Sequence, residues 1–312
     1  MKKYKHMKKY IYTLLLLTLS ELAVSQQVPM YSQYMFNDYV YNPAVAGTKD
    51  YYQAKSNNRY QWLGITDAPR TYILSVCGPH KTRNMGFGGY VFNDVTGPTS
   101  RTGLYGSYAY NVKINEQLRF SSGLSLGLLQ YKIDGSRIIL HDQNDQTLSN
   151  GMYTDYLPDA NLGLFLYSKS YSVGLAVNQL FNNNINFKEV EQLGINKIKS
   201  HFILYGSYLY QINDDFDVEP TLLLKFVSPA PIQADISAKV TYKNMVWLGF
   251  SYRTKDALSV MVGYNYKDQL SFGYSYDLSI TDIKKYSTGT HELMLGIRFN
   301  KFKESESRAK IE

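Results

Sequence analysis

Residues 118–128 read Leu118-Arg-Phe120-Ser-Ser-Gly-Leu124-Ser-Leu126-Gly-Leu128. One parity carries Leu118, Phe120, Leu124, Leu126 and Leu128, and the other carries Arg119, Ser121, Gly123, Ser125 and Gly127. Successive side chains of a strand point to opposite faces, so this alternation builds a strand with one apolar face and one small, polar face. Residues 271–279 repeat the split, with Phe272, Tyr274, Tyr276 and Leu278 against Ser271, Gly273, Ser275, Asp277 and Ser279. A helical period of 3.6 fits neither stretch.

From about residue 51 onward the chain continues in such segments, separated by turn residues. Candidate strands fall at 51–61, 70–78, 86–96, 100–113, 117–133, 159–168, 171–181, 200–212, 216–227, 232–243, 245–254, 258–267, 269–280 and 291–301. That makes about fourteen, the even number expected of an all-β transmembrane antiparallel β-barrel over residues 51–302. Composition agrees: of 312 residues 44% are hydrophobic, 30 are Tyr and 22 are Gly, with mean hydropathy −0.31. Beyond the first residues no run approaches the ~20 apolar residues of a membrane-spanning helix. A soluble sandwich is the alternative; it would carry more Val and Ile and fewer glycines on its polar face.

The connections sort by parity. Links after even-numbered strands are short (Asn115-Glu116, Lys169-Ser170, Asn213-Asp214-Asp215, Lys243-Asn244, Lys267-Asp268), whereas residues 134–158, 182–199 and 281–290 follow odd-numbered ones, with exceptions near the front. Outer-membrane barrels keep short turns in the periplasm, which places the mature N-terminus and the tail 303–312 there. Tyr108 and Tyr110, Tyr208 and Tyr210, and Tyr264 and Tyr266 fall near the ends of strands four, eight and twelve, where an interfacial belt belongs, and Tyr274 and Tyr276 supply the opposite belt.

Residues 1–25 carry Lys2, Lys3, Lys5, Lys8 and Lys9, the apolar run 11–19 and the small-residue site Ala23-Val24-Ser25, which reads as a cleaved signal peptide. Its removal takes away five lysines and one glutamate, so the formal charge falls from +7 to +3. No dense basic stripe remains for nucleic acid. Residues 26–50 are too aromatic for a solvated tail; Tyr31, Gln33, Tyr34, Phe36 and Asn37, then the turn Asn42-Pro43, are expected either to plug the lumen or to bind a periplasmic partner.

Chemistry finds little footing. Gly123-Leu-Ser125-Leu-Gly127 matches a nucleophile elbow, but strand alternation runs straight through it. His80, His141, His201 and His291 lie far apart, the single Cys77 excludes a cysteine-built metal site, and the oxygen-rich loop His141-Asp142-Gln-Asn144-Asp145 lacks the Gly and distal Glu of a calcium loop. Lumen-facing Arg119, Lys225, Asp235, Lys239, Asp277 and Arg298 form a mixed-sign set expected to pair across the lumen. No enzyme, metal or cofactor is expected.

Gln33-Tyr34-Met35-Phe36-Asn37 followed by Asn42-Pro43-Ala44-x-Ala46-Gly47 resembles the opening motif of the PorP/SprF family of type IX secretion system outer-membrane proteins. The resemblance continues through Arg59-x-Gln61-Trp62-x-Gly64, Ala68-Pro69-x-Thr71, Asp94-x-x-Gly97, Ala230-Pro231, Asp235, Trp247-x-Gly249-x-Ser251-Tyr252-Arg253, Gly273-Tyr274-Ser275-Tyr276-Asp277 and Gly289-Thr290-His291-Glu292. Thr290 in place of Ser and Asp145-Gln146 in place of Asp-Pro depart from the pattern. The resemblance implies a barrel that helps export or anchor a large secreted adhesin with a C-terminal sorting domain, in contact with periplasmic ring and peptidoglycan-binding components and with outer-membrane lipid. It carries over no catalytic residue. Trp62 and Trp247 join the N-terminal residues as candidate docking aromatics. The rival readings are a channel or hydrophobic-substrate transporter with an N-terminal hatch, and an outer-membrane enzyme.

Overall fold

A strand with one apolar face needs a partner on each edge and an apolar medium on one side, and closing the sheet in a bilayer satisfies both. The computed structural model describes residues 31–138, 151–187 and 196–300. The expected signal peptide at 1–25, the loop at 141–145 and the tail 303–312 lie outside the described residues. The strands are β1 (Tyr52–Tyr60), β2 (Arg70–Pro79), β3 (Met85–Thr96), β4 (Thr99–Lys113), β5 (Arg119–Asp134), β6 (Met152–Tyr167) and β7 (Tyr171–Asn178). They continue as β8 (His201–Tyr208, extended by Tyr210–Gln211), β9 (Phe216–Phe226), β10 (Gln233–Tyr242), β11 (Val246–Arg253), β12 (Ala257–Tyr266), β13 (Leu270–Ser279) and β14 (Thr290–Phe299). Each pairs antiparallel with its sequence neighbours, and β1 pairs with β14 from Tyr52↔Phe299 to Tyr60↔His291, closing a fourteen-stranded barrel.

The two faces fall as the alternation requires. Leu124, Leu126 and Leu128 of β5 point to lipid, while Ser121, Gly123 and Ser125 between them are buried inside. On β13, Phe272, Tyr274 and Leu278 are outward and Gly273, Ser275 and Asp277 inward. Tyr108, Tyr110, Tyr208, Tyr210, Tyr264 and Tyr266 stand exposed at the short-turn end, a belt for the bilayer interface.

Two details differ from the sequence expectation. β6 begins at Met152, not 159, and extends above the barrel wall beside β5. Its first turns, Tyr153-Thr-Asp-Tyr-Leu-Pro158, lack an alternating apolar face because a strand rising past the bilayer has no lipid to meet. The parity of the links is also broken by the tight turns Gly97-Pro98 and 254–256, both at the long-loop end.

Candidate functional site

The lumen is filled by residues 31–49. This stretch makes two single-turn 3-10 helices, Asp38–Val40 and Pro43–Val45, which a chain with no room for longer helices uses to turn tightly. Asn42 caps the second: its Oδ1 accepts from the Ala44 N–H, and Pro43 occupies the first helical position, where its missing donor costs nothing. Tyr31, Ser32, Gln33, Tyr34, Tyr39, Tyr41, Ala44 and Ala46 are all buried. The segment is therefore a plug.

The wall is cut to receive it. A Cβ on Gly123 would strike Pro43 and Ala44, one on Gly163 would strike Asn42, and one on Gly86 would strike Ala46. These inward glycines, read in the sequence only as small lumen residues, are the seat of the plug's second turn. Hydroxyls and amides complete the fit. Tyr39 OH meets Ser107 Oγ at 2.7 Å, Tyr34 OH lies 3.0 Å from both Thr221 Oγ1 and Ser237 Oγ, and Asn42 Nδ2 donates to Leu164 O at 3.0 Å. Asn37 donates through Nδ2 to Asn57 Oδ1 at 2.9 Å and accepts from Ser75 Oγ at 3.1 Å.

A buried charge network locks the plug's leading end. Glu292 of β14 accepts the backbone N–H groups of Ser32 and Gln33 at 2.7 and 3.2 Å and pairs with Arg59 of β1 at 3.2 Å. Arg59 also holds Asp277 at 2.9 Å. Arg253 holds Asp235 at 3.0 Å, with Asp256 and Asp277 at 3.2 and 3.5 Å. Ser32 Oγ sits at the centre, donating to Asp277 Oδ2 at 2.6 Å and accepting from Arg59 and Arg253 at 2.9 and 3.1 Å. Dry charges are tolerable only when paired and hydrogen-bonded, and here four carboxylates, two guanidiniums and plug donors pair with one another.

The expected docking residues thus find partners inside the chain. Tyr31, Gln33, Tyr34, Asn37, Asn42 and Pro43 are buried against the wall. Trp247 lies inward on β11 beneath the plug, stacked on Phe36 with ring centroids 4.1 Å apart, at the opposite end of the barrel from Trp62. Trp62 sits in the β1–β2 link with a left-handed backbone, φ 51°, and its N–H donates to Thr290 Oγ1 at 3.0 Å. Of the expected mixed-sign set, Asp235 and Asp277 join the network, Lys239 pairs with Glu219 at 2.5 Å, and Lys225 lies 5.0 Å above the Tyr41 ring. Arg59, Arg253 and Glu292 were missed as a site. Parity was the available signal, since Arg253 shares the inward register of Trp247 and Ser251.

Cavities remain beside the plug. One of about 10 Å³ lies between Tyr34, Tyr41, Asn42 and the β7–β9 wall, and one of about 30 Å³ between Tyr31, Tyr90, Phe92 and Tyr105. A third, larger than these two at about 280 Å³, lies at the short-turn mouth below Phe36 and Trp247.

A closed strand barrel with an apolar outer face, tyrosine belts and its own N-terminal segment as a plug defines an outer-membrane β-barrel protein. The sequence model described as type IX secretion system membrane protein PorP/SprF matches residues 23–297, and the chain belongs to that family. It is thus an outer-membrane component of type IX secretion. Among solved structures, a Pseudomonas aeruginosa FadL homologue aligns over 87% of this chain and 94% of its own at 11% identity, TM-score 0.47. The monoaromatic hydrocarbon channel CymD aligns over 88% and 94% at 12% identity, TM-score 0.49, and the KdgM porin over 80% and 98% at 11% identity, TM-score 0.38. At these identities the likeness is one of fold alone. No curated protein matches the chain in sequence.

Proposed function

We propose that the barrel acts in type IX secretion as a closed docking body, which anchors or assists the export of a large secreted adhesin with a C-terminal sorting domain. Beneath the membrane it contacts periplasmic ring and peptidoglycan-binding components. The reading includes no catalytic step. The observation that carries it is the plug: a lumen filled by buried aromatic residues and locked by paired charges favours a rigid scaffold over a conduit.

The test is affinity capture of the tagged protein from detergent-solubilised outer membranes, with co-purifying proteins identified by mass spectrometry. Recovery of a very large surface protein or of periplasmic ring subunits is the expected result. A solitary barrel that conducts small solutes in a planar bilayer would instead return the channel or hatch-gated transporter reading.

A further inference from the structure

The short-turn mouth, which faces the periplasm by the loop-length rule, is not a neutral opening. Its cavity of about 280 Å³ has an aromatic floor, the stacked Phe36 and Trp247, and is lined by Lys49, Lys55, Lys169, Lys239 and Arg298 against only Asp38 and Glu219. Lys239 is taken up by Glu219 at 2.5 Å and lies 4.9 Å from the Phe36 ring, and Lys55 donates to the Phe36 carbonyl. Lys49, Lys169 and Arg298 have no carboxylate partner among the described residues. They come from three separate places: the plug's exit, the β6–β7 turn and the end of β14.

We propose that this mouth is a binding site for an extended, carboxylate-rich peptide segment of a periplasmic partner. A concave surface with an excess of one sign of charge between low-dielectric walls concentrates the opposite charge. Cations reaching in from three directions suit a chain bearing several carboxylates better than one point anion, and the aromatic floor receives an apolar side chain between them. The identity of the occupant as a partner rests on the docking role; the site itself does not.

The chain has two tryptophans, so in the Trp62→Phe protein Trp247 reports from the cavity floor. The full-length barrel in detergent is titrated with a short alternating Glu-Ala peptide and with its Gln-Ala counterpart. A saturable fluorescence change is expected for the first, at least about tenfold tighter than for the second and weakening with salt. The double variant Lys49→Glu/Lys169→Glu, two exposed positions outside the strands, should lose about tenfold in affinity while staying heat-modifiable on electrophoresis. Equal binding of the two peptides, or unchanged affinity in the double variant, overturns the site. Inorganic phosphate displacing the peptide at comparable concentration overturns the peptide as occupant and leaves a small-anion site. Tight peptide binding by a barrel that captures no partner would overturn the docking role and leave the site standing.

Discussion

Arg59→Met tests the lock on the plug. Arg59 is 3% exposed and spans Asp277, Glu292 and the plug's Ser32 within 3.2 Å, so methionine keeps the apolar stem and leaves two buried carboxylates without their guanidinium. Removing one partner of a buried ion pair costs about 3–5 kcal/mol. That cost exists only while the plug is seated, because an emptied lumen floods and returns both carboxylates to water. The loss therefore falls on plug docking and not on the barrel, whose strand ladders are untouched. At about 1.4 kcal/mol per decade, even the lower bound raises the unplugged population about 100-fold. The chain supplies its own probe. Cys77 is its single cysteine, faces the lumen on β2, is 4% exposed and lies with Tyr39 of the plug against Gly88. Where opening is fast relative to modification, the rate of labelling by a bulky, polar maleimide tracks the open population. A labelling rate raised about 100-fold in a barrel that remains heat-modifiable is the expected result. A rate within about twofold of the parent protein would refute the argument that the network holds the plug, since the conversion allows no such small effect.

Gly163→Leu places a side chain where Asn42 now sits, an overpacking of about 1–3 kcal/mol that should speed Cys77 labelling with the barrel intact. Trp247→Ala removes the support under Phe36 and should lower the urea midpoint in detergent by the equivalent of about 3–5 kcal/mol. Leu126→Lys puts a charge on the lipid face of β5 and should cost about 2–4 kcal/mol in a liposome folding titration, far more than a lysine at an exposed loop position. Deleting Tyr31–Asn37 should leave an inserted, heat-modifiable barrel that now conducts ions and no longer captures its partners; full capture would show that the plug plays no part in docking.

The barrel was legible because period-2 alternation is a direct imprint of lipid on one face and lumen on the other. Leu124, Leu126 and Leu128 fix the register of β5, and the tyrosine pairs at 108, 110, 208, 210, 264 and 266 mark the belt where that imprint ends. The start of β6 was not legible, since Tyr153 to Pro158 lies past the bilayer and keeps no apolar parity. The N-terminal segment announced through its aromatics that it must be buried, but the same residues serve a plug or a partner interface, and only three-dimensional closure decides between them. The lock was half legible. Asp235 and Asp277 were placed in the lumen by parity, and Arg253 faces Asp235 across the neighbouring strand, whereas Arg59 lies far away in sequence and reaches Asp277 and Glu292 only once β1 has met β14.

Arg59 and Glu292 are directly opposed across the β1–β14 ladder, the seam at which the first and last strands meet. Both also grip Ser32, which precedes β1 by only two short turns. Closing the wall therefore builds the plug's receptor, because the carboxylate and the guanidinium that hold Ser32 face each other only when β1 and β14 have paired. Joining the sheet's ends thus makes the lock, and a barrel whose stopper has swung out keeps Arg59 and Glu292 opposed across a flooded seam, ready to take it back.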